Sequence, residues 1–338
     1  MRILVTGATG FLAGSLIPEL QRSGHSVRGL VQPSGDSTWL DGRGVAVFRG
    51  DVRDPGSLAP AMSGVDAVFH LAAAIGTRRP LGEYHAVNVT GTENVCQAAL
   101  EAGATRLVHV STTSVYLQGL GEPVGEDAPL RPLPDPYPLT KAEGDLVVQR
   151  MIAEQGLPAC VIRTSTVYGP GDHLNFGRIA DRLVAGRAVI VGSGRNSVPF
   201  VYVTDVVQGL LLALDRDEAV GQVYNITDDD CPTQEELLTA IAAEVGAKPP
   251  RIRIPYSVLY GAGYLAERIA ALTHSPHPLV TRFGVALYGA DNRCAIDKAR
   301  RELGFEPRVS LRDGIRHAAA WYRERSAASR SLAPVAAT

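Results

Sequence analysis

Short apolar runs and helical patterns alternate along the first half of the chain. The first run covers residues 3–5, two glycines end it, and a helical pattern then continues as far as Leu20. Further helical patterns span 88–102 and 141–155. The strands that this alternation predicts are 2–6, 26–31, 45–48, 67–71, 106–111 and 159–163. Such an order predicts an α/β fold with a doubly wound parallel sheet, whose ligands bind at the carboxyl ends of the strands.

A glycine-rich loop joins the first strand to the first helix. Its spacing is G-x-x-G-x-x-A, with Gly7, Gly10 and Ala13. Gly7 allows a tight turn, and Gly10 has no Cβ, so a pyrophosphate can approach the helix N-terminus, where free N–H groups favour an anion. Two glycines three residues apart also occur in purely structural turns. The position directly after an apolar strand favours a dinucleotide site.

The ends of the next strands bear on the choice of cofactor. An acid after the second strand would bind a ribose diol and a base would suit a 2′-phosphate, but Gln32 stands there, with Arg28 close by in the chain. The missing acid favours NADP slightly over NAD. Asp51, after the third strand, either accepts a hydrogen bond from the adenine amino group or closes a turn. His70 is expected to be a core histidine with its hydrogen bonds satisfied.

A hydroxyl cluster and a tyrosine–lysine pair suggest the chemistry. The hydroxyls occupy 111–114, and a proline-rich loop leads from them to a helix that we predict to begin near Tyr137. Lys141 lies four residues further and shares a helix face with Tyr137. Its ammonium, with a positively charged nicotinamide, would lower the phenol pKa from about 10 and let Tyr137 exchange a proton with substrate. Tyrosine–lysine pairs with this spacing are common, and the hydroxyls could form only a turn. The catalytic interpretation therefore rests on the order of the glycine-rich loop, the hydroxyl cluster and the tyrosine–lysine pair along the chain.

Composition narrows the class of protein. The chain has 338 residues, a size that predicts two lobes or one large domain. Its formal net charge of −2 gives no indication of nucleic-acid binding. Four widely separated cysteines show no metal spacing, so we expect reduced thiols of a cytoplasmic protein and no metal site. We expect neither a signal peptide nor a membrane span, and a disordered Ala/Ser-rich tail over 325–338.

These segments together resemble the extended short-chain dehydrogenases/reductases, the NAD-dependent epimerase/dehydratase superfamily. The resemblance covers about residues 1–324. It rests on the segments 6–12 (TGATGFL), 50–54 (GDVRD), 70–73 (HLAA), 111–116 (STTSVY), 137–141 (YPLTK), 167–172 (VYGPGD), 201–205 (VYVTD), 298–307 (KARRELGFEP) and 321–322 (WY).

The resemblance implies the architecture of the whole chain. We expect an N-terminal Rossmann domain over 1–165, to which segments near 195–225 return. A smaller C-terminal α/β lobe, mainly over 166–324, would bind a small-molecule substrate. The family also implies a homodimer through the helices 89–102 and 139–155.

The resemblance further assigns roles to single residues. It implies a catalytic triad of Thr112, Tyr137 and Lys141. Asn88 would be the family's helix asparagine near the site, although a local structural bond is an equal alternative. The residues expected to bind NAD or NADP are Gly7, Thr9, Gly10, Phe11, Leu12, Gln32, Asp51, Val52, Leu71, Ala72, Ala73, Tyr137, Lys141, Thr164 and Val167.

One departure from the family bears on the substrate. Sugar-nucleotide members usually carry an arginine before the strand near 200, where it grips diphosphate, but Val198 and Pro199 stand there. Losing such a ligand removes a strong anchor, although Arg195, Arg282 or Arg293 could substitute.

A row of apolar residues at helical spacing resembles the 3β-hydroxysteroid dehydrogenase-like members, in which the lobe meets an apolar alcohol or ketone. An ordinary amphipathic core helix is the alternative. The row consists of Val258, Leu259, Ala262, Leu265, Ala266, Ile269 and Leu272.

The sequence therefore predicts an NAD(P)-dependent oxidoreductase that interconverts a secondary alcohol and a ketone, with Tyr137 as acid and base. The alternative is a nucleotide-sugar epimerase or dehydratase that recycles its NAD. A non-catalytic dinucleotide-sensing protein is a third possibility, against which the intact Thr112, Tyr137 and Lys141 set argues.

Overall fold

The computed structural model describes residues 1–76, 79–116, 119, 121–273 and 280–331. The strands are β1 (Arg2–Thr6), β2 (Ser26–Val31), β3 (Ala46–Arg49), β4 (Ala67–His70), β5 (Arg106–Thr112), β6 (Ala159–Thr164), β7 (Thr166–Tyr168), β8 (Ile190–Val191), β9 (Phe200–Tyr202), β10 (Val223–Ile226) and β11 (Arg253–Ile254).

The helices surround these strands. They are α1 (Phe11–Arg22), α2 (Thr38–Asp41), α3 (Pro55–Met62), α4 (Leu81–His85), α5 (Gly91–Glu101), α6 (Pro136–Gln155), α7 (Phe176–Val184), α8 (Val203–Asp215), α9 (Gln234–Val245), α10 (Tyr256–Thr273), α11 (Arg282–Gly289), α12 (Asp297–Leu303) and α13 (Leu311–Ser331). A π-helical segment, Ala86–Thr90, precedes α5.

A seven-stranded parallel sheet forms the centre of the fold, in the order β10-β6-β5-β4-β1-β2-β3. The predicted Rossmann-like, doubly wound fold is confirmed, and the bounds predicted for β1 and β2 match the structure. The strand order reverses between β1 and β4, and ligands bind at such a switch point in open α/β sheets.

The large sheet is apolar on both faces. One face packs with α1, α8 and α12 and the other with α3, α5 and α6. Within β1, Ile3 and Val5 face the first layer and Leu4 faces the second. A parallel strand that is covered on both sides needs apolar residues at successive positions, which is why the short apolar runs predict it so well.

The chain after β6 builds a smaller region and returns twice to the large sheet. Two parallel strand pairs, β7 with β9 and β8 with β11, belong to the smaller region. The returning elements are α8 with β10 and then α12, whose Ala299 and Leu303 join the core beside α1. The division into a dinucleotide-binding domain and a substrate lobe stays our proposal.

The last helix continues into the expected tail. Residues 325–331 continue α13, whereas 332–338 lie outside the described residues. Ala and Arg are strong helix formers, and the Arg325 guanidinium lies over the Trp321 ring at 5.4 Å. The disorder expected over 325–338 stays a prediction.

The helix α10 is not the core helix that its spacing allows. It packs against α11, but Leu265 is 60% and Leu272 is 80% exposed. Leu259 on this helix lines the large cleft described below. Apolar residues at helical spacing identify one face of a helix but not what covers that face. Because Leu265 and Leu272 are exposed, the core-helix interpretation is wrong. None of the helices in the described parts of the chain is long and apolar enough to cross a membrane.

Candidate active site

One cleft of about 1220 Å³ opens along the carboxyl ends of the large sheet and extends into the smaller region. Every residue that the sequence assigns to catalysis or cofactor binding lines it. These residues are Gly7, Thr9, Gly10, Phe11, Leu12, Gln32, Asp51, Val52, Leu71, Ala72, Ala73, Thr112, Tyr137, Lys141, Thr164 and Val167. Their roles stay predictions, but their shared location is a finding.

The glycine loop has the geometry of an anion cradle. Gly10 is the N-cap of α1, and no side chain caps the helix and no acid stands in its first turn. Gly7 has a φ of +67°, and a Cβ there would lie 2.8 Å from the backbone nitrogen of Ala72. Uncapped N–H groups at a helix N-terminus favour phosphate, so these residues fit the pyrophosphate of a dinucleotide.

Arg28 does not lie at the end of the cleft that Gln32 lines. Arg28, which is close to Gln32 in sequence, donates instead to the carbonyls of Ala61 and Ser63, at 2.9 and 2.8 Å. Arg28 lies within β2, four residues before Gln32, and a strand rises about 3.3 Å per residue, so closeness in sequence does not bring Arg28 to the strand end.

Arg53, the basic residue bonded to Asp51, is also already occupied by a protein partner. Arg53 donates to both carboxylate oxygens of Asp51, at 2.9 and 2.6 Å, and this pair lowers the pKa of Asp51. Gln32 donates to the same carboxylate at 3.4 Å. Asp51 also accepts from the backbone N–H of Arg53, so the turn role is present, and its carboxylate still faces the cleft.

The helix α6 presents the tyrosine and the lysine. Its N-cap Asp135 accepts from the Tyr137 N–H at 3.1 Å, which fixes the helix start where the sequence predicts it. Lys141 follows one turn later and is buried, and its Nζ donates to the Val110 carbonyl at 2.7 Å. Burial lowers the pKa of Lys141 to about 8, while the nearby Asp145 acts in the opposite direction.

Without a bound cofactor, the phenol of Tyr137 does not have a lowered pKa. Burial raises the pKa of Tyr137 to about 12, and a hydrogen bond with Thr112 acts against that rise. The Lys141 ammonium donates to the Val110 carbonyl. The expectation that Lys141 and a positively charged nicotinamide together lower the phenol pKa concerns the cofactor complex and stays a prediction.

Thr112 is held in place at the end of β5. Its Oγ1 accepts from the Ser114 N–H at 3.2 Å and donates to the Ser114 Oγ at 3.3 Å. The hydroxyl cluster thus forms a turn, as the alternative interpretation has it, and also brings one hydroxyl to Tyr137. The turn is observed, and the catalytic role of Thr112 stays a prediction.

A buried ion pair supports the site and has no sequence signal. Arg163 on β6 donates to both carboxylate oxygens of Asp145 on α6, at 2.8 and 3.0 Å, and these side chains are 2% and 0% exposed. Arg163 also donates to the Tyr116 hydroxyl at 2.6 Å. Because the two partners lie in different elements, periodicity cannot reveal the pair, although a charge within an apolar strand is a hint.

Asn88 and His70 have structural roles. The Asn88 amide accepts from the Ala74 N–H at 2.7 Å and donates to Thr140 Oγ1 at 3.0 Å, so the structural-bond alternative describes it. His70 bonds Thr6 and Thr92, at 2.7 and 3.0 Å. Burial lowers the pKa of His70 to about 3, which makes it the satisfied core histidine that was expected.

The part of the cleft beyond Tyr137 is mainly apolar. The Phe283 ring lies 6.2 Å from the Tyr137 ring. Other apolar residues that line this part are Ile179, Val189, Val191, Leu237, Leu238, Leu259, Val285 and Leu287. A pocket of apolar walls with a few polar groups suits a small organic ligand. Among the described residues, no cluster of histidine, cysteine and acidic side chains could hold a metal ion.

The three arginines considered for diphosphate binding differ in their partners and in whether they line the cleft. Arg282 pairs with Glu267 at 2.7 Å and, like Arg195, does not line the cleft. Arg293 does line it, but its guanidinium donates to the Gly121 carbonyl. No bidentate arginine clamp is formed by these three side chains.

Comparison with known proteins gives a consistent family. The family model described as the NAD dependent epimerase/dehydratase family matches residues 3–227. A 2-alkyl-3-oxoalkanoate reductase from Stenotrophomonas maltophilia is 34% identical over 332 residues, which covers 94% of this chain and 98% of that protein. A 3-beta-hydroxysteroid dehydrogenase from Mycolicibacterium neoaurum is 29% identical, covering 96% and 92%.

A solved structure shares the fold over the same extent. The dTDP-glucose 4,6-dehydratase DesIV from Streptomyces venezuelae, crystallised with NAD, superposes with a TM-score of 0.79. It is 28% identical, and the match covers 97% of this chain and 98% of that chain.

Proposed function

Since this chain belongs to the NAD-dependent epimerase/dehydratase family and is an enzyme of the extended short-chain dehydrogenase/reductase type, we propose that it reduces a ketone on an apolar small molecule to a secondary alcohol. The observation that carries the proposal is the pair formed by Tyr137 and Thr112 in an apolar part of the cleft. The raised pKa keeps the Tyr137 phenol protonated at neutral pH, and a protonated phenol can donate the proton that a ketone oxygen takes up on reduction.

The chain's own residues account for the proton step. Thr112 holds the substrate oxygen and directs it to the Tyr137 hydroxyl, which gives up its proton as negative charge develops on that oxygen. Lys141 supplies the nearby positive charge that stabilises the resulting phenolate. Phe283, against the Tyr137 ring, limits the access of water. A nicotinamide bound in the cleft supplies the hydride.

The apolar residues near Tyr137 support a substrate whose reacting part is apolar. The arginine that sugar-nucleotide members usually carry before the strand near 200 is absent at Val198 and Pro199, and Arg282 is paired with Glu267. The reductase of 2-alkyl-3-oxoalkanoates and the 3-beta-hydroxysteroid dehydrogenase, both similar over most of this chain, act by their names on largely apolar molecules. We therefore place the substrate among long-chain or polycyclic ketones.

We propose NAD as the preferred cofactor. Arg28 donates to the Ala61 and Ser63 carbonyls and Arg53 to the Asp51 carboxylate, while Gln32, which lines this end of the cleft, offers no positive charge to a 2′-phosphate. Dissociation constants measured by fluorescence should be lower for NADH than for NADPH. Tighter binding of NADPH would contradict this assignment, and Gln32→Arg should shift the ratio toward NADPH.

The proposal is tested by whether the reduced cofactor is consumed. The purified enzyme is incubated with NADH and apolar ketones, and alcohol formed is compared with NADH oxidised. One alcohol per NADH supports a net reductase. Product formed from a nucleotide sugar with no change in NADH would contradict it.

The second candidate is the epimerase or dehydratase that recycles NAD. It is favoured by the similarity to the dTDP-glucose dehydratase over nearly the whole chain and by Arg293 in the cleft. Mass spectrometry of the protein under native conditions discriminates the two. Tightly carried NAD would favour the recycling enzyme, and a site that exchanges its cofactor freely would favour the reductase.

A further inference from the structure

We propose that Arg178 and Arg182, with Arg187 and the Tyr288 hydroxyl, form a subsite for an anionic group at the far end of the substrate. The proposal rests on the ketone reductase function and adds the chemical class of its substrate, an apolar ketone that carries a carboxylate or a phosphate. All four residues line the cleft, on its smaller-region side.

Within the described residues, the three guanidiniums form no ion pair and no side-chain hydrogen bond. Arg178 and Arg182 stand one turn apart on α7, so they share a helix face. The opposite face of α7 is buried through Phe176, Ala180 and Leu183. The amphipathic helix thus directs its cations to the cleft.

The carboxylates of the cleft are each bonded to groups other than these three guanidiniums. Asp51 is paired with Arg53, and Asp135 caps α6. Asp291 accepts from the Ser197 N–H at 2.7 Å. Asp172, which lies closest in sequence to α7, accepts from three backbone N–H groups, those of residues 174, 175 and 176, at 3.0, 2.9 and 2.8 Å.

Tyr288 links the arginines to the wall of the pocket. Burial and the nearby Asp172 carboxylate raise the pKa of Tyr288, and the guanidiniums of Arg182 and Arg178 act in the opposite direction, so one carboxylate and two guanidiniums lie near the phenol. Its ring lies 6.4 Å from that of Phe200, which holds it on the smaller-region side. A phenol donor beside two guanidiniums matches an oxygen anion, since guanidinium binds carboxylate and phosphate in a bidentate manner.

The substrate that fits is therefore amphipathic. Its ketone would reach Tyr137, its apolar body would lie along Leu237, Leu238 and Phe283, and its anion would face α7. Exposed guanidiniums at the edge of the cleft also attract an anionic ligand from a distance. A neutral ketone would leave this subsite without a partner.

The test compares charged and neutral forms of one molecule. Long-chain oxo acids, with the ketone at increasing distance from the carboxylate, are measured beside their methyl esters in the presence of NAD(H), by KM and by calorimetric affinity. In the wild-type enzyme the best acid should bind about 10- to 100-fold more tightly than its ester. In Arg178→Met/Arg182→Met this ratio should fall to about 1.

Further measurements distinguish a carboxylate from a phosphate as the bound anion, and the subsite proposal from the reductase proposal. Arg301→Met, an exposed arginine outside the cleft, should keep the wild-type ratio. Preference for a coenzyme A thioester of the acid over the free acid, lost in the double variant, would assign a phosphate instead of a carboxylate. Equal affinity for acid, ester and thioester in the wild-type enzyme would overturn the subsite. Tight binding of the acid without any NADH oxidation would retain the subsite and overturn the reductase.

Discussion

At the scale of single residues, Tyr137 and Lys141 have pKa shifts in opposite directions although one helical turn separates them. Burial disfavours the charged form of each, so the pKa of Tyr137 rises to about 12 and that of Lys141 falls to about 8. At neutral pH the phenol keeps its proton and the amine is mostly charged. This combination favours proton donation to a ketone over proton removal from an alcohol.

The pH dependence of ketone reduction follows from these two groups. kcat/KM should be level below pH about 8 and should fall as the pH rises through about 8, because Lys141 then loses the charge that stabilises the phenolate. The profile is measured with one ketone and saturating NADH. Lys141→Arg, which does not titrate in this range, should lose that limb. A wild-type profile that is level to pH about 10 would contradict the role of Lys141.

At the scale of elements, the site depends on how α6 is fixed to the large sheet. The ion pair between Arg163 on β6 and Asp145 on α6 is buried, and both carboxylate oxygens are used. Asp145 lies one turn after Lys141, as Lys141 lies one turn after Tyr137. The pair therefore sets the position of the helix face that enters the cleft.

Removing one partner of this pair should be costly. Asp145→Ala leaves a buried guanidinium without its counter-ion, so the free energy of unfolding should fall by about 3–5 kcal/mol. The matched control is Glu93→Ala, which breaks the half-exposed pair with Arg150 on the same helix and should cost less than about 1 kcal/mol. Denaturant unfolding measures both variants. Equal losses would contradict the anchoring role of Asp145.

At the scale of the whole molecule, the sequence predicts most of the large sheet and the membership of the cleft. β1 and β2 follow from apolar runs that a strand buried on both faces requires. Asn225 interrupts the apolar run of β10, so the sequence does not predict this strand. The helical spacing of apolar residues on α10 does not show that Leu265 faces solvent. The direction of the Tyr137 pKa shift depends on the burial of the phenol and on which group accepts the Lys141 hydrogen bond. The spacing of residues in the sequence predicts neither.

The assembly of the molecule is a further proposal. We propose a homodimer through the outer faces of α5 and α6, which pack side by side and carry Leu146, 52% exposed. Leu146→Glu should shift the protein from dimer to monomer in sedimentation, because a buried unpaired charge is costly at an interface. Val220→Glu, at an exposed apolar residue elsewhere, should leave the assembly unchanged. A wild-type monomer would contradict the dimer.

The most direct test of the central claim is the turnover of Tyr137→Phe, measured with an apolar ketone and NADH beside the affinity for NADH. The account predicts that kcat for reduction falls by about 100-fold or more, while the dissociation constant of NADH stays close to that of the wild-type enzyme. Loss of only the hydroxyl keeps the ring against Phe283, so the cleft retains its shape. A variant that reduces the ketone at the wild-type rate would contradict the role of Tyr137 as the proton donor.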